Sequence, residues 1–285
     1  MRIQQRHNAY NLLIIGATIA GCTNSALLAI AAEDGTRAVD NARGALQMSV
    51  DELVSAKDSN ENEAERETKK LNAAKETVKK ALALGLSEID VLEKKLKNLE
   101  IEKLVTDDYT FDAADVHDKL AADLTEGKSY QKLLLKNSDS AKTQDDIRRI
   151  AGELQKWRDD FYAPIVQKIF SIDIVLRQKT VVNMGNSRFE KILNDLHRLK
   201  NAKLITLEPF DAVLRQATAN QKMALALHEE ALQLLRTNLR SAKETIDNKR
   251  ITNLVEQSFL QTKSMYKQFI AINKLMKGLL DNGTK

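Results

Sequence analysis

The longest stretch without a helix-breaking residue places the strongest constraint on the fold of this chain. Residues 210–277 contain neither proline nor glycine. Apolar side chains recur every three or four residues at Leu232, Leu235, Leu239, Ala242 and Ile246. Further along the stretch come Leu254, Phe259, Tyr266, Phe269 and Leu275. This spacing is that of one face of an α-helix, and Pro209 suits its first turn. We therefore predict one long C-terminal helix over residues 208–280, followed by a tail at 281–285.

Two further stretches carry helical spacing. In residues 71–104 the apolar positions alternate steps of four and three, as in a coiled-coil seam: Val78, Leu82, Gly85, Ile89, Leu92, Leu96 and Leu99. In residues 143–202 a broader stripe begins at Ile147, Ile150, Leu154, Trp157 and Phe161. Pro164 lies inside this second helix and predicts a kink or break, because proline lacks the N–H donor. Gly185 is a second weak point.

The rest of the chain is read from its polar and turn-forming residues. Residues 22–56 are predicted to contain an N-terminal segment followed by a first helix. Residues 57–70 are predicted to be either a polar linker or a helix exposed on all sides. Turn signals, "EGKS" and "NSDSAK", divide residues 105–142 into a cap of short helices. Aromatic residues make up 5% of the chain, which is rich in Ala, Leu, Lys and Glu, and this composition favours long helices over sheets. We expect an all-α protein, an elongated helical bundle of long coiled-coil-like helices with that small cap.

The beginning of the chain has the pattern of a secretory signal peptide. Arg2 and Arg6 precede an apolar run over residues 9–21, which is shorter than the ~20 apolar residues of a membrane-spanning helix. The run leads to Ile19-Ala20-Gly21-Cys22, and the chain contains one cysteine. These four residues resemble the lipobox of bacterial lipoproteins, in which an aliphatic residue and two small residues precede an invariant cysteine.

The resemblance implies a site of lipid attachment. Residues 1–21 would be the signal peptide, a dedicated peptidase would recognise Ile19, Ala20 and Gly21, and Cys22 would carry the acyl chains that bind membrane lipid. A thiolate is the nucleophile that such acylation requires, and two or three acyl chains anchor a protein stably. Thr23 stands where an aspartate tends to retain lipoproteins at the inner membrane, so the resemblance implies the outer membrane of a bacterial envelope.

Two other readings of the same region stay open. Ordinary signal-peptidase cleavage after "AIA", residues 29–31, would leave Ala32 as the first residue of the mature chain. Alternatively, "SALLAIAA" extends the apolar stretch to Ala32 and could form an uncleaved anchor, although Thr23, Asn24 and Ser25 interrupt it.

Charge and motifs give little sign of chemistry. Without residues 1–21, the chain has 42 basic and 40 acidic residues, so we predict no nucleic-acid partner. The mature chain has no two glycines within four residues of each other, which argues against phosphate-binding loops. "HEEAL" at His228 begins like a zinc-protease helix, but Leu232 stands at the position of the second histidine.

Two clusters have a structural and a functional reading. Residues 112–123 contain four aspartates and His117, and we interpret them as a solvated, capped helix rather than a metal site. The aromatic residues near Pro164 are interpreted as core rather than a ligand pocket: Trp157, Phe161, Tyr162 and Phe170. We predict no catalytic residues, metal, cofactor or small-molecule substrate.

The sequence therefore predicts a non-enzymatic envelope lipoprotein, a membrane-anchored helical scaffold or interaction protein with a protein or cell-wall partner. A surface-exposed lipoprotein that binds host or phage molecules is the first alternative, and a periplasmic enzyme with a site of scattered residues is the second. The terminal Lys285 resembles the lysine through which some helical lipoproteins are joined to peptidoglycan. Terminal lysines are common, and no longer motif accompanies this one.

Overall fold

A computed structural model describes residues 36–55, 63–105, 111–240 and 247–283. Within these ranges the chain is helical and contains no β-strand, which confirms the predicted all-α helical bundle. Contacts divide the chain into two compact units. Unit 1 holds the residues up to Leu99 and residues 114–169, and unit 2 holds residues 100–113 and those from Phe170 onward.

Unit 1 is built from four helices: α1, Thr36–Ser55; α2, Glu63–Asn98; α3, Ala113–Ser140; and α4, Gln144–Trp157. Helices α1 and α2 form a hairpin, joined by a buried hydrogen bond of 2.9 Å from Ser49 Oγ to Thr77 Oγ1. Helix α3 runs antiparallel to α2. Lys79, midway along α2, pairs with Asp139 near the end of α3 at 2.7 Å, whereas Asp90, later in α2, pairs with Lys128, earlier in α3. The core between them contains the predicted seam, since Val78, Leu82, Ile89 and Leu92 are all fully buried.

A capping box begins α4. The Thr143 side chain accepts a hydrogen bond from the Asp146 N–H at 3.1 Å, and the Asp146 carboxylate accepts one from the Thr143 N–H at 3.0 Å. These reciprocal bonds satisfy backbone donors that have no partner inside the helix. The predicted start of this helical stretch, at residue 143, is thereby confirmed to within one residue.

The helix changes its hydrogen bonding just before Pro164. After Trp157 it continues through a π-helical turn, Arg158–Tyr162, into α5, Ala163–Asn201. The Ala163 N–H donates to the Arg158 carbonyl, five residues earlier. A proline has no N–H and crowds the preceding turn, and a wider turn is one way in which a helix accommodates such a disturbance. The helix is therefore not broken at Pro164, although its regular α-helical hydrogen bonding is interrupted just before that residue. A kink there stays a prediction.

Unit 2 combines α5, from Phe170 onward, with α6, Asp211–Arg240, and α7, Asn248–Gly283. Phe189 of α5, Ala217 of α6 and Phe269 of α7 share one buried cluster. Gly185 does not weaken α5. It lies against α7, where an added Cβ atom would approach Met265 Cε to 2.5 Å.

The single helix predicted over residues 208–280 is wrong. Helix α6 ends at Arg240 and α7 begins at Asn248. The two helices are antiparallel neighbours, with Ser258 Oγ donating to the Ala224 carbonyl at 2.7 Å. A hairpin lets the apolar stripes of both halves face each other instead of solvent. Asp247 caps α7 by accepting from the Arg250 N–H at 3.1 Å, so the new helix starts without glycine or proline.

The predicted cap of short helices over residues 105–142 is also wrong. Helix α3 occupies Ala113–Ser140 without interruption. The "EGKS" turn signal lies inside this helix. Its glycine, Gly127, allows close packing instead of a turn, since an added Cβ atom would lie 2.9 Å from Trp157 Cζ2. The helix expected from residue 112 does begin at Ala113, and the turn signal "NSDSAK" coincides with its end at Ser140.

The other predicted boundaries are those of the polar region and of the C-terminal helix. Residues 63–70 are the first two turns of α2, so this part of the polar region is helical rather than a linker. Helix α7 continues through Gly283, three residues past the predicted end at Leu280. Lys285 and the whole of residues 1–35 lie outside the described residues. No helix within the described ranges is long and apolar enough to span a membrane.

Two glycines in unit 1 allow a direct test of this packing. We expect Gly127→Ala to destabilise the protein by about 1–3 kcal/mol, because the new methyl group must displace the Trp157 ring. Gly152→Ala is the matched control. It lies in α4 with no atom within 4 Å of an added Cβ, so it should stabilise the helix by up to about 1 kcal/mol. Urea unfolding followed by circular dichroism measures both. Equal effects of the two substitutions would contradict the close contact.

Candidate functional site

The four residues that resemble a lipobox are not part of the described structure. Ile19, Ala20, Gly21 and Cys22 all lie outside the described residues. Lipid attachment at Cys22 therefore stays a prediction from the sequence.

A buried ion pair lies at the centre of unit 1. Glu88 of α2 is fully buried, and Arg158, the first residue of the π turn, is 8% exposed. Arg158 Nη1 lies 3.1 Å from Glu88 Oε2. Burial raises the pKa of Glu88 above its ordinary value, while the charges of Arg158 and Arg43 oppose that increase. An uncompensated charge in such a place is strongly destabilising, so the arginine is what allows a carboxylate here.

Tyr162 completes this cluster one turn after Arg158. Its ring lies under the Arg158 guanidinium at 5.3 Å and stacks on Trp157 with the ring centroids 5.3 Å apart. Burial raises the pKa of the Tyr162 hydroxyl well above its usual value, and the nearby Glu88 charge adds to this effect. The π turn is what directs both Arg158 and Tyr162 into the core. The interpretation as core is confirmed for Trp157 and Tyr162, which are buried, whereas Phe161 and Phe170 are half-buried.

A second fully buried polar side chain lies next to this cluster. Gln131 of α3 has no measurable exposure, and its amide group contacts Gly85 of α2, where an added Cβ atom would overlap it. The glycine in the apolar seam of α2 is therefore a site of close approach between two helices. This polar layer is closed to solvent, because Glu88 and Gln131 have no exposure.

An open cleft lies between α2 and α3 in the same unit. Its volume is about 480 Å³, and its walls are formed by Asp90, Glu93, Lys94, Leu96, Lys97, His117, Ala121, Leu124 and Thr125. At one end, Lys128 Nζ bridges Asp90 Oδ1 at 2.6 Å and Glu93 Oε2 at 2.9 Å. These hydrogen bonds raise the pKa of Lys128.

The bridge changes the interpretation of the outer face of α2. The sequence pairs Asp90 with Lys94 and Glu93 with Lys97, as intrahelical contacts four residues apart. Both carboxylates bind Lys128 of α3 instead. The face that the sequence presents as solvated is thus partly covered by a neighbouring helix, and sequence periodicity alone does not show which helix that is.

His117 lines this cleft. Its Nδ1 atom is 3.4 Å from Asp118 Oδ1, while Asp115 binds Lys119 at 2.7 Å. Across the described ranges, no three His, Cys, Asp or Glu side chains come together in a way that could hold a metal ion.

Unit 2 buries a histidine. His228 of α6 is 6% exposed, and neither of its ring nitrogens has a hydrogen-bond partner among the described residues. Burial lowers its pKa to about 4, Glu229 opposes the change, and the positive charges of Lys179 and Arg236 contribute to it. Leu232, one turn later, is buried in the core. The resemblance of this segment to a zinc-protease helix is therefore limited to His228 and Glu229.

Sequence reasoning missed the Glu88–Arg158 pair. The sequence does mark both positions. Glu88 interrupts the apolar run of α2 beside Ile89, and Arg158 lies six residues before Pro164, where the helix was expected to be disturbed. Comparison with known proteins adds no homologous site: no family model, no curated protein and no solved structure matches this chain.

Proposed function

We propose that this chain is a non-enzymatic lipoprotein of a bacterial envelope, anchored through acylated Cys22, whose helical body serves as a scaffold or interaction surface. One observation carries the proposal: Ile19-Ala20-Gly21-Cys22 directly follows a leader with two arginines, no acidic residue and a short apolar run. Spacing, flanking charge and the cysteine agree with one another in this segment.

The helical body supports a scaffold rather than a catalyst. Three polar groups that could perform chemistry are enclosed: Glu88 and Gln131 are fully buried, and His228 is 6% exposed. A general acid or base must come within hydrogen-bond reach of a substrate, and these groups do not face solvent. Glu88 pairs with Arg158 of the π turn, and Gln131 packs against Gly85 of α2. Contacts of this kind between segments are expected in a bundle that holds its partners at fixed positions.

The anchor can be tested on the mature protein. We expect mass spectrometry of the N-terminal peptide to show Cys22 as the first residue, bearing acyl chains. Cys22→Ser should either stay unprocessed or leave the detergent phase for the aqueous phase, because the sulfur nucleophile is gone. Thr23→Ser is the control and should remain lipidated. A mature chain that begins at Ala32 without lipid would exclude the anchor and favour ordinary secretion.

The partner and the orientation need separate measurements. Chemical cross-linking of intact membranes, followed by purification of this protein, should recover an envelope protein or cell-wall fragments. Protease treatment of intact cells then distinguishes the two sides of the membrane. Degradation without permeabilisation would favour the surface-exposed alternative, whereas protection would favour a partner in the periplasm.

A further inference from the structure

The outer face of α7 combines lysines with exposed apolar side chains. We call it the basic–apolar face and define it by Phe259, Leu260, Lys263, Lys267, Ile270 and Lys274. All six are exposed, and Leu260 and Ile270 reach 61% and 57% exposure. At 3.6 residues per turn, these positions fall within about 100° of the helix circumference. Large aliphatic side chains at such exposure, gathered on one face, are unusual for a surface without a binding role.

The opposite side of α7 is fully used by the core of unit 2. Ser258, Thr262, Met265 and Phe269 are each at most 4% exposed. Ser258 donates to the Ala224 carbonyl of α6, and Phe269 stacks on Phe189 of α5 with the ring centroids 5.7 Å apart. The basic–apolar face therefore points away from the bundle that holds it.

The charge on this face is strongly positive. Helix α7 contains six basic and two acidic residues. None of Lys263, Lys267 and Lys274 forms an ion pair or hydrogen bond with any residue that the structure describes. Glu256 lies one turn earlier on the same side and is also exposed. The local excess fits a wider asymmetry, because residues 170–285 hold 19 basic and 11 acidic residues, whereas residues 1–169 hold 25 and 29.

Helix α5 extends the face at one edge. The Arg188 guanidinium lies over the Tyr266 ring, 5.7 Å from its centroid. Met184, one turn earlier on α5, is 61% exposed. Gly185 lets the two helices approach, with Tyr266 Cε2 3.7 Å from the position of an added Cβ atom. The basic and apolar character thus continues from α7 onto its neighbour.

We propose that the basic–apolar face binds the surface of a bilayer that contains anionic phospholipids. Lysine ammonium groups are attracted to an anionic surface, and each contributes separately. Phe259, Leu260 and Ile270 would enter the boundary between headgroups and acyl chains, as apolar side chains of interfacial helices do. A nucleic acid matches the lysines but offers no counterpart for the aliphatic side chains of Leu260 and Ile270. This proposal does not depend on acylation of Cys22.

Vesicle flotation with the full chain carrying Cys22→Ser tests the proposal without the anchor. The probes are vesicles of phosphatidylcholine alone and vesicles with about one third phosphatidylglycerol. The test variant is Lys263→Gln/Lys267→Gln/Lys274→Gln. The control, Lys132→Gln/Lys136→Gln/Lys156→Gln, changes the charge equally at exposed positions of unit 1. All forms share the same leader, so differences between them report the substituted residues.

We expect the test variant to lose on the order of 100-fold in affinity for the anionic vesicles, because each lysine near the surface contributes about fivefold. The control should lose much less, and Leu260→Ser/Ile270→Ser should also weaken binding. Three results would overturn the proposal: equal losses in the two triple variants, equal binding of the parent chain to neutral and anionic vesicles, or tighter binding of the parent chain to DNA than to anionic vesicles. Circular dichroism checks that each variant keeps its helices.

Discussion

Replacing Arg158 with methionine should destabilise the protein by about 3–5 kcal/mol at neutral pH, because it leaves Glu88 buried without the positive charge that acts on it most strongly. The Arg158 guanidinium is the first partner of this carboxylate, at 3.1 Å, and Glu88 has no exposure to water. Arg149→Met is the matched control in α4. Its partner Glu153 lies 2.8 Å away, but the two side chains are 60% and 36% exposed, so its loss should cost at most about 1 kcal/mol.

The double variant Glu88→Leu/Arg158→Met separates a lost attraction from an orphaned charge. Removing both partners together should restore most of the stability, since an apolar pair often replaces a buried ion pair without loss. The cost of Arg158→Met alone should also grow from pH 4 to pH 7. Burial raises the pKa of Glu88, so the folded variant retains a proton that the unfolded chain releases as the pH increases. Urea unfolding at both pH values measures these effects. A double variant as unstable as Arg158→Met would contradict this explanation.

The helices themselves were predictable where burial follows local periodicity. The seam of α2 was read from steps of three and four, and Val78, Leu82 and Leu92 are fully buried. Such a pattern can be recognised within one helix, because its apolar face must be buried whichever helix packs against it. The start of the helix near Thr143 and the interruption of regular hydrogen bonding before Pro164 are likewise local features. These features needed no knowledge of which helices are neighbours.

The hairpin between α6 and α7 was not predictable from glycine and proline. The sequence between them has no such residue, and Asp247 starts α7 through a side-chain cap. A continuous helix would expose both apolar stripes, whereas the hairpin buries Ala217 against Met265 and Phe269. The gain comes from contacts between residues about fifty positions apart, and the local pattern carries no information on them.

The buried cluster of unit 1 was missed for a related reason. An unbroken α-helix places Trp157 and Phe161 on the same face, which is how the aromatic stripe was interpreted. The π turn adds a residue, so Arg158 and Tyr162 face the core, while Phe161 is only half-buried. Glu88 then meets an arginine seventy residues away, and only the packing of α2 against the π turn brings the two together.

Acidification should weaken unit 2 through His228. Its folded-state pKa is lowered to about 4 from an ordinary value of 6.5, chiefly by burial. Between these two pH values the unfolded chain binds a proton at His228 that the folded chain does not bind. The free energy of unfolding should therefore fall as the pH decreases through 6.5, and level off near pH 4. At about 1.4 kcal/mol per pH unit, the loss amounts to about 3 kcal/mol. Glu229 opposes this effect, and the charges of Lys179 and Arg236 strengthen it.

His228→Leu tests this dependence directly. Neither ring nitrogen has a hydrogen-bond partner among the described residues, so an apolar side chain of similar size should be tolerated at pH 7. The variant should be more stable than the parent at pH 4.5, because it removes the proton that only the unfolded chain binds. His197→Leu, at an exposed position of α5, is the control and should retain the loss of stability attributed to His228. Denaturant unfolding from pH 7 to pH 4 provides the measurement. If His228→Leu loses stability with acid as steeply as the parent, then His228 is not the group responsible, and solvent must reach its imidazole in the folded protein.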